Sequence, residues 1–238
     1  MKIFSKLEIS KNYKNSALAI GNFDGVHLGH QKVFKKTKDA AKRNKVMFGI
    51  MTFTPLPVMV FNKKIKNHRL ASESQKLKLF KKYKVDFVIN VHFNKNFFKI
   101  SAENFIKKII YKKLQVKLLA VSNNFKFGRN RKGDINLLKK FSRICGYKLL
   151  NVNPLKYLNK PVSSTKIRNY LKKGNINLAN KLLSRNWSIE GVVIDGKKIG
   201  RKLGYRTCNI KIKNYILPKA GIYAVKVSIE KKIFFYDG

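Results

Sequence analysis

Two histidines, His27 and His30, stand three residues apart across Gly29, where an apolar run gives way to a helical pattern. A spacing of three residues places both side chains on one face of a helix. The first turn of a helix offers free backbone N–H groups and the positive end of the helix dipole, and both attract phosphate. Two imidazoles there add donors that can follow charge into a transition state. The pair indicates phosphate chemistry, although either histidine alone fits ordinary packing equally well.

Short elements on both sides are expected to hold these histidines. Residues 17–20 are an apolar run that ends at Gly21, and a helical pattern covers residues 28–43. Glycine at positions 21, 25 and 29 would let the backbone approach a ligand closely. The expected order is strand, loop and helix, with the histidines at the start of the helix.

A second polar segment, residues 162–168, has the same character. It reads Val-Ser-Ser-Thr-Lys-Ile-Arg and opens another helical pattern. Three hydroxyls, a lysine and an arginine at a helix start favour phosphate binding. The alternative is an ordinary amphipathic helix with a serine or threonine cap.

The first two thirds of the chain alternate between strand and helix patterns. We predict strands at 17–20, 46–53, 85–91, 118–121 and 147–152, with helices beginning near residues 28, 72, 101 and 135. This alternation predicts a doubly wound α/β domain, a parallel sheet covered on both faces. Ligands of such sheets bind beyond the carboxyl ends of the strands. Residues 21–31, 52–57 and 122–134 each follow a strand and are therefore expected to share one pocket.

The pattern changes after Trp187. Residues 189–196, 210–213 and 221–229 alternate with a period of two between glycine and proline turns, as antiparallel strands do. We predict a boundary near residues 185–188, which divides the chain into domains 1–186 and 187–238.

The composition is strongly basic, with 54 Lys and Arg against 11 Asp and Glu and a formal charge of +43. A field of this strength attracts nucleic acid. However, the lysines are scattered over every predicted element, and arginine, the better phosphate reader, contributes only nine residues. We therefore favour a compositional bias of the whole chain and do not expect nucleic acid as a specific partner.

Other classes of protein are less compatible with the composition. A hydrophobic fraction of 44% with 12% aromatics is typical of a folded chain. Two cysteines, Cys145 and Cys208, are too few for a disulfide framework. The sequence contains no secretory h-region and no stretch near the ~18 apolar residues of a membrane helix, so we expect a cytoplasmic protein.

The two phosphate segments resemble a known family. The string from Gly21 to His30 is similar to the GxFDGxHxGH signature of the FAD synthetase branch of the nucleotidyltransferases, and residues 163–168 resemble its SSTxIR motif. The resemblance implies a Rossmann-like nucleotidyltransferase domain. It implies catalytic roles for His27, His30, Lys166 and Arg168. It further implies ATP binding by Gly21, Asn22, Phe23, Asp24, Gly25, Gly29, Ser163, Ser164 and Thr165.

A third segment resembles the flavin-holding loop of that family. Residues 124–128 read Asn-Phe-Lys-Phe-Gly and are similar to its [DN]FxFG motif. The resemblance implies flavin binding by Asn124, Phe125, Phe127 and Gly128. Residues 52–57, Thr-Phe-Thr-Pro-Leu-Pro, also resemble the TFxPHP motif of the family, but Leu56 replaces its usual histidine. Ser122, just before the flavin loop, replaces a usual glycine.

The last part of the chain resembles the riboflavin kinase module. Residues 200–209 are similar to its GRxLGxPTAN motif, with Arg206 in place of the proline and Cys208 in place of the alanine. The resemblance implies kinase-site roles for Gly200, Arg201, Gly204, Thr207 and Asn209, with Mg²⁺ on Thr207 and Asn209. The chain stops at Gly238, before the segment that carries the catalytic glutamate of the family. We therefore expect an incomplete all-β, riboflavin kinase-like barrel, without kinase activity unless another chain supplies the missing strands.

The function that the resemblance implies is FAD synthesis, in which FMN attacks ATP with Mg²⁺ on the phosphates and pyrophosphate leaves. ATP and FMN are the expected small-molecule partners, and riboflavin would be the substrate of the kinase-like half. Two alternatives stay open. One is a different nucleotidyltransferase of the superfamily, and the other is a basic nucleic-acid-binding protein on an inactive catalytic fold.

Overall fold

The computed structural model describes residues 1–62, 64–196, 204, 207–229 and 232–236. The strands of the main sheet are β1 (Lys2–Phe4), β2 (Ala17–Ile20), β3 (Phe48–Thr54), β4 (Phe87–His92), β5 (Leu118–Ser122) and β6 (Lys148–Val152). The helices among them are α1 (Leu28–Arg43), α2 (Pro57–Phe61), α3 (Glu73–Lys82), α4 (Lys95–Phe98), α5 (Ala102–Asn104), which continues as a π-helix over Phe105–Lys113, and α6 (Ile135–Cys145).

Further elements follow the main sheet. They are the short strands β7 (Lys156–Tyr157) and β8 (Lys160–Pro161), the helices α7 (Ser164–Lys172) and α8 (Ile176–Leu183), and the strands β9 (Val192–Ile194), β10 (Asn209–Lys211), β11 (Val225–Ile229) and β12 (Lys232–Tyr236). None of the helices in this described part of the chain is both long and apolar enough to cross a membrane.

The main sheet has the strand order β1-β4-β3-β2-β5-β6, and every neighbouring pair is parallel. The predicted doubly wound α/β architecture is therefore confirmed. The strand order reverses between β2 and β5, which pair side by side. In sheets of this kind the reversal point opens a crevice at the carboxyl ends of the strands, where ligands bind.

Each face of the sheet has its own apolar core. The π-helix and α6 cover one face, where Phe105, Ile106, Ile110 and Phe141 are buried. On the other face, α1 and α3 contribute Phe34 and Phe80 to a second cluster. The alternating strand residues supply both layers, as parallel strands buried on two faces require.

The helix α1 begins and ends at the residues that the sequence pattern predicts. Its buried positions lie at helical spacing and face the sheet: Val33, Phe34, Thr37, Ala40 and Ala41. The strand that follows starts two residues later than predicted, because Lys45 has a φ of +52° and the amide of Val46 donates to Ala41. Such a bond closes a helix C-terminus, so Val46 ends α1 instead of opening β3.

A third apolar cluster joins α7 and α8 to the rest of the molecule. Its members are Leu70, Val162, Ile167, Leu171, Ala179, Leu182, Leu183 and Ile216. The two helices are separated at Gly174, where φ is +77°. The cluster also contains Ile216, so residues on both sides of the predicted boundary at 185–188 share one apolar cluster.

The later strands form small antiparallel sheets, in which β9 pairs with β10 and β11 with β12. This confirms the expected change to antiparallel structure and fits an incomplete barrel. Apolar side chains of these strands stay exposed, among them Val192 at 72% and Val225 at 50%. Of the kinase-like residues, Gly200 and Arg201 lie outside the described residues, whereas Gly204, Thr207 and Asn209 lie within them.

Candidate active site

A cavity of about 880 Å³ lies at the carboxyl edge of the main sheet. The segments that follow β2, β3, β4, β5 and β6 all contribute to its walls. The fold therefore brings together the three segments that the sequence predicts to share a pocket, residues 21–31, 52–57 and 122–134. The volume is in the range of sites for small molecules and cofactors.

The cavity walls include most of the predicted site residues, but not all of them. Those on the wall are Gly21, Asn22, Phe23, His27, Gly29, His30, Asn124, Phe125, Phe127, Gly128, Ser163 and Ser164. Asp24, Gly25, Thr165, Lys166 and Arg168 lie beside the cavity without lining it.

The loop over residues 21–27 is held by hydrogen bonds to its carbonyl groups. Side chains donate four of these bonds: Thr52 to Asn22 at 3.1 Å, Ser164 to Asp24 at 2.9 Å, Arg185 to Gly25 at 2.7 Å and Gln31 to Val26 at 3.0 Å. Backbone amides donate to the carbonyls of Phe23 and His27. Because the carbonyl oxygens are engaged by the protein, the loop presents less negative charge to the cavity. The free amides at the start of α1 then remain available for an anion.

Gly25 shows why this loop needs glycine. Its φ is +79°, and a Cβ atom at this position would lie 2.9 Å from the Cβ of Leu70. Any other residue would combine a strained backbone with a steric clash.

His27 is the N-cap of α1, and its Nδ1 accepts from the amide of His30 at 3.4 Å. An accepting Nδ1 carries no proton, so the neutral ring holds its proton on Nε2. The side chain is buried, with 5% of its surface exposed. Burial, and the nearby charge of Arg168, lower the pKa of His27 from 6.5 to about 4.

His30 stacks on His27 with the ring centres 3.6 Å apart and meets the edge of the Phe23 ring at 5.2 Å. Burial lowers the pKa of His30 well below its usual value, and electrostatic interactions with His27, Arg168 and Lys76 lower it further. Its Nδ1 is buried and has no hydrogen-bond partner within the described residues. Both histidines are therefore neutral at pH 7 and suited to donate hydrogen bonds rather than to carry charge.

The low pKa of His27 makes the stability of the ligand-free protein depend on pH. The folded protein binds this proton more weakly than the unfolded chain, so its stability is complete above pH 6.5 and falls as the pH decreases toward 4. Between pH 7 and pH 5 we expect a loss of about 2 kcal/mol of unfolding free energy from His27. Urea unfolding at a series of pH values measures it.

The matched variant for this measurement is His27→Asn, since asparagine can also cap the helix but does not titrate. We expect the variant to lose clearly less stability than the wild-type chain over the same pH range. Equal pH dependence in the two proteins would show that His27 is not a buried neutral group.

Asp24 and Arg168 form a buried ion pair between the loop and α7. Their side chains are only 6% and 11% exposed. Asp24 also accepts from the amide of Leu70, and the Nε of Arg168 donates to the carbonyl of His68 at 2.7 Å. Arg168 is therefore engaged in fixing the loop against residues 68–70, and its guanidinium does not point freely into the cavity.

Of the other residues at the start of α7, some reach the cavity and others do not. Ser163 is the N-cap of α7 and accepts from the amide of Lys166 at 3.2 Å. Thr165 is exposed, and the Nζ of Lys166 lies 5.8 Å from the centre of the Tyr170 ring. Ser163 and Ser164 thus reach the cavity, while Lys166 rests on the outer face of its helix.

The cavity has an aromatic wall that the sequence motifs do not contain. Phe93 and Phe97 come from the segment after β4 and pack with Phe53 at ring distances of 5.6–6.0 Å. Phe105 then joins Phe97 to Phe127. The signal that could have found them is the phenylalanine-rich run after a predicted strand, at the same sheet edge as the motifs.

The predicted flavin loop completes this wall. The rings of Phe125 and Phe127 stack with their centres 5.4 Å apart. Ser122 donates to the side chain of Asn124 at 2.9 Å, so the serine that replaces the family glycine orients the loop. Gly128 has a φ of +71°, and a Cβ here would meet the backbone of Ala102 at 2.6 Å.

No group of three His, Cys, Asp or Glu side chains within the described residues is placed to hold a metal ion. In the later segment, Thr207 and Asn209 are both exposed, and Gly204 has a φ of +84°. None of these three residues lies on the cavity.

Comparison with known proteins agrees with this geometry. Residues 9–166 match the FAD synthetase family, and residues 183–236 match the riboflavin kinase family. The bifunctional riboflavin kinase/FMN adenylyltransferase of Buchnera aphidicola subsp. Schizaphis graminum is 42% identical over 221 residues, which are 92% of this chain and 71% of that protein. The protein of the same name from Escherichia coli K12 is 34% identical, over 88% of this chain and 67% of that protein.

A solved structure shows the same fold over almost the whole chain. The crystal structure of a macrolide-efflux protein from Streptococcus pneumoniae superimposes with a TM-score of 0.85 at 24% identity, covering 99% of this chain and 77% of that one. With both family matches and these relatives, the chain belongs to the bifunctional riboflavin kinase/FMN adenylyltransferase family.

Proposed function

We propose that this chain transfers the adenylyl group of ATP to the phosphate of FMN and releases FAD and pyrophosphate. The observation that carries the proposal is a single cavity that joins the start of α1, with its two neutral histidines, to a wall of phenylalanine rings. The helix start suits phosphate, and the aromatic wall suits the flat ring system of a flavin. The names of the relatives supply FMN as the acceptor and an adenylyl group as the group transferred.

The proposed reaction is an in-line transfer at phosphorus. A phosphate oxygen of FMN bonds to the α-phosphorus of ATP, while the bond from that phosphorus to the bridging oxygen of the β-phosphate breaks. Pyrophosphate leaves with the electron pair of the broken bond. Such a step depends on alignment and charge stabilisation rather than on covalent chemistry by the protein.

The site residues have separate roles in this proposal. His27 and His30 donate from imidazole N–H groups to the phosphates, and Ser163 and Ser164 add hydroxyls from α7. The backbone of residues 21–25 and of Gly29 approaches the ATP phosphates closely. Lys166 has a flexible side chain and acts as a further donor once its ammonium leaves the Tyr170 ring and turns toward the cavity. Thr165, in the first turn of α7, is the remaining residue of the proposed ATP-binding set. Arg168 acts by holding Asp24.

The flavin end of the site uses Asn124, Phe125, Phe127 and Gly128, together with the wall around Phe97. The stacked pair of Phe125 and Phe127 offers an apolar surface beside the amide of Asn124. An isoalloxazine ring needs both, because it combines flat apolar faces with polar edges.

Mg²⁺ belongs to the proposal as the ion that accompanies ATP and neutralises part of the phosphate charge. Its ligands in the adenylyl site would be mainly phosphate oxygens and water, as Mg²⁺ usually binds in nucleotide sites. In the kinase-like segment, Thr207 and Asn209 offer two uncharged oxygens. This donor set fits an ion that brings its own phosphate ligands.

We further propose that the division at residues 186 and 187 separates two functional units in a cytoplasmic protein. The polypeptide by itself is not expected to phosphorylate riboflavin. The support is the exposure of apolar side chains on β9, β10 and β11, including Val193 and Ile210, which leaves the described strands without a closed core.

The test is an assay of the purified chain with Mg²⁺ and ATP, given either FMN or riboflavin. We expect FAD and pyrophosphate in equal amounts from FMN, and no FMN from riboflavin. Other phosphate acceptors, offered at the same concentration, serve as the control for substrate identity. Turnover of a different acceptor in preference to FMN would contradict the proposed function, and FMN formation from riboflavin would contradict the proposal for the kinase-like half.

A further inference from the structure

Lys76, in the first half of α3, is a buried cation beside the proposed adenylyl site. Only 5% of its surface is exposed. The Nζ donates to the hydroxyl of Thr52 at 3.0 Å, and no carboxylate of the described residues lies within 4.0 Å of it. The ammonium thus has two further N–H groups and no ion-pair partner in the described part of the chain.

A buried charge without a partner is costly to keep in a folded protein. Burial lowers the pKa of Lys76 from 10.5 to about 8, so the side chain is still mainly charged at pH 7. A methionine or leucine at this position would fill similar space without the cost. This cost suggests that the charge serves the site rather than the fold.

The contacts of Lys76 lead toward the cavity. Thr52, on β3, accepts from Lys76 and donates to the carbonyl of Asn22 at 3.1 Å, and Asn22 lines the cavity. Burial is the main cause of the low pKa of His30, and the positive charge of Lys76 adds to it.

The other charged and polar groups around Lys76 do not neutralise it. Asp24 on the loop and Glu73 on the same helix raise its pKa, whereas Arg69 lowers it. Asp24 is engaged by Arg168, and Glu73 accepts from Asn90 of β4. Both carboxylates near Lys76 therefore already have stronger partners.

We propose that Lys76 is a positioning residue of the adenylyl site. Through Thr52 it fixes the carbonyl of Asn22 away from the cavity, and it places a positive charge behind the loop that receives the ATP phosphates. The proposal rests on the proposed function, because it assigns the residue to the ATP side of that reaction.

The test compares Lys76→Met with the wild-type chain and with Lys81→Met, the same substitution at an exposed position of α3. We expect Lys76→Met to lower kcat/KM for ATP at least tenfold and to change KM for FMN less than twofold. Its unfolding temperature should equal or exceed that of the wild type, because a buried charge has been removed. Lys81→Met should behave as wild type in all three measurements.

The hydroxyl of Thr52 can be tested separately. We expect Thr52→Val to lower kcat/KM for ATP and Thr52→Ser, which keeps the hydroxyl, to recover most of it. In the double variant Lys76→Met/Thr52→Val the two losses should be less than additive, since both remove one chain of contacts. The two Thr52 variants keep the proposal testable if Lys76→Met does not fold.

The pH profile gives a readout that a purely structural lysine would not change. The protonated form is lost as the pH rises through about 8, so kcat/KM for ATP in the wild type should fall on that alkaline side. This fall of kcat/KM at alkaline pH, the alkaline limb of the profile, should be missing in Lys76→Met.

Three results would overturn the proposal: activity of Lys76→Met within twofold of wild type, an unchanged alkaline limb, or an equal loss of affinity for FMN and ATP. Each requires that the wild-type chain forms FAD. A wild-type chain without this activity would instead refute the proposed function, and binding of ATP to wild type and Lys76→Met, measured by calorimetry, would then decide the role of Lys76 alone.

Discussion

The His30→Ala variant is expected to form FAD about 100- to 1,000-fold more slowly than the wild-type chain, the usual effect of removing one preorganised donor from a site of developing charge. His30 lines the cavity at the start of α1 and is stacked on His27, so its ring has a fixed position. A neutral ring in this position can strengthen its hydrogen bond as charge grows on the phosphates. We expect the effect mainly in kcat.

Two variants separate this role from damage to the fold. His92→Ala removes an exposed histidine at the end of β4 and should leave FAD formation unchanged. His30→Asn keeps an N–H donor at a similar distance from the backbone and should recover part of the lost rate.

The unfolding temperature of His30→Ala should stay within a few degrees of the wild type. The ring is only partly buried, and its Nδ1 makes no hydrogen bond in the described structure. Turnover at the wild-type rate in His30→Ala would show that His30 has no role in the reaction. A collapse in stability would show that the ring acts in packing against Phe23 instead.

The local part of this site follows from the sequence. The strand at 17–20, the loop and the helix Leu28–Arg43 have strong local signals, namely an apolar run, glycines and a helical apolar stripe. The parallel sheet then follows from alternation, and the sheet brings the loops after its strands to one edge. This reasoning predicts a common cavity for the histidines and the flavin loop, whereas the serines at the start of α7 are assigned to it only by the resemblance to the family motif.

The remaining features depend on pairings between distant segments. The short strand β1 pairs with β4, and in this pairing Lys2 lies opposite Phe87, 85 positions later in the chain. No local pattern signals such a partner. The same is true of Lys76 with Thr52 and of Arg168 with Asp24. A motif shows that an arginine is present, but whether it faces a substrate or an aspartate depends on the packing of α7 against the loop.

Strand starts also depend on helix ends. Val46 and Val85 are apolar and read as the first residues of strands, yet each donates its amide to a carbonyl five residues earlier and closes a helix. The lysine before each of them has a positive φ, +52° at Lys45 and +55° at Lys84. Lysine is not a typical residue for this conformation, so the sequence carries no glycine signal for these helix ends.

Breaking the buried pair of Asp24 and Arg168 is expected to have the largest effect on stability. Arg168→Met leaves the Asp24 carboxylate buried beside the amide of Leu70 without its cation, and removal of one partner from such a pair costs about 3–5 kcal/mol. Asp24→Asn leaves the guanidinium without its anion and should cost a similar amount. Denaturant unfolding of both variants measures these changes.

The double variant Asp24→Asn/Arg168→Met should recover more than half of the lost stability, because no buried charge is then left unpaired. Arg168→Lys should not recover it. The arginine bonds Asp24 through one nitrogen and the carbonyl of His68 through another, and a lysine ammonium cannot reproduce that fixed geometry.

The same variants decide how Arg168 serves the reaction. If it positions the loop through Asp24, both single variants should lower kcat/KM for ATP by similar factors, and the double variant should be little worse than either. If the guanidinium instead contacts the phosphates, Arg168→Met should be impaired far more than Asp24→Asn, and the double variant should remain as poor. The bonds to Asp24 and His68 favour the first outcome, because they occupy the guanidinium in a buried setting where it has little freedom to turn toward the cavity.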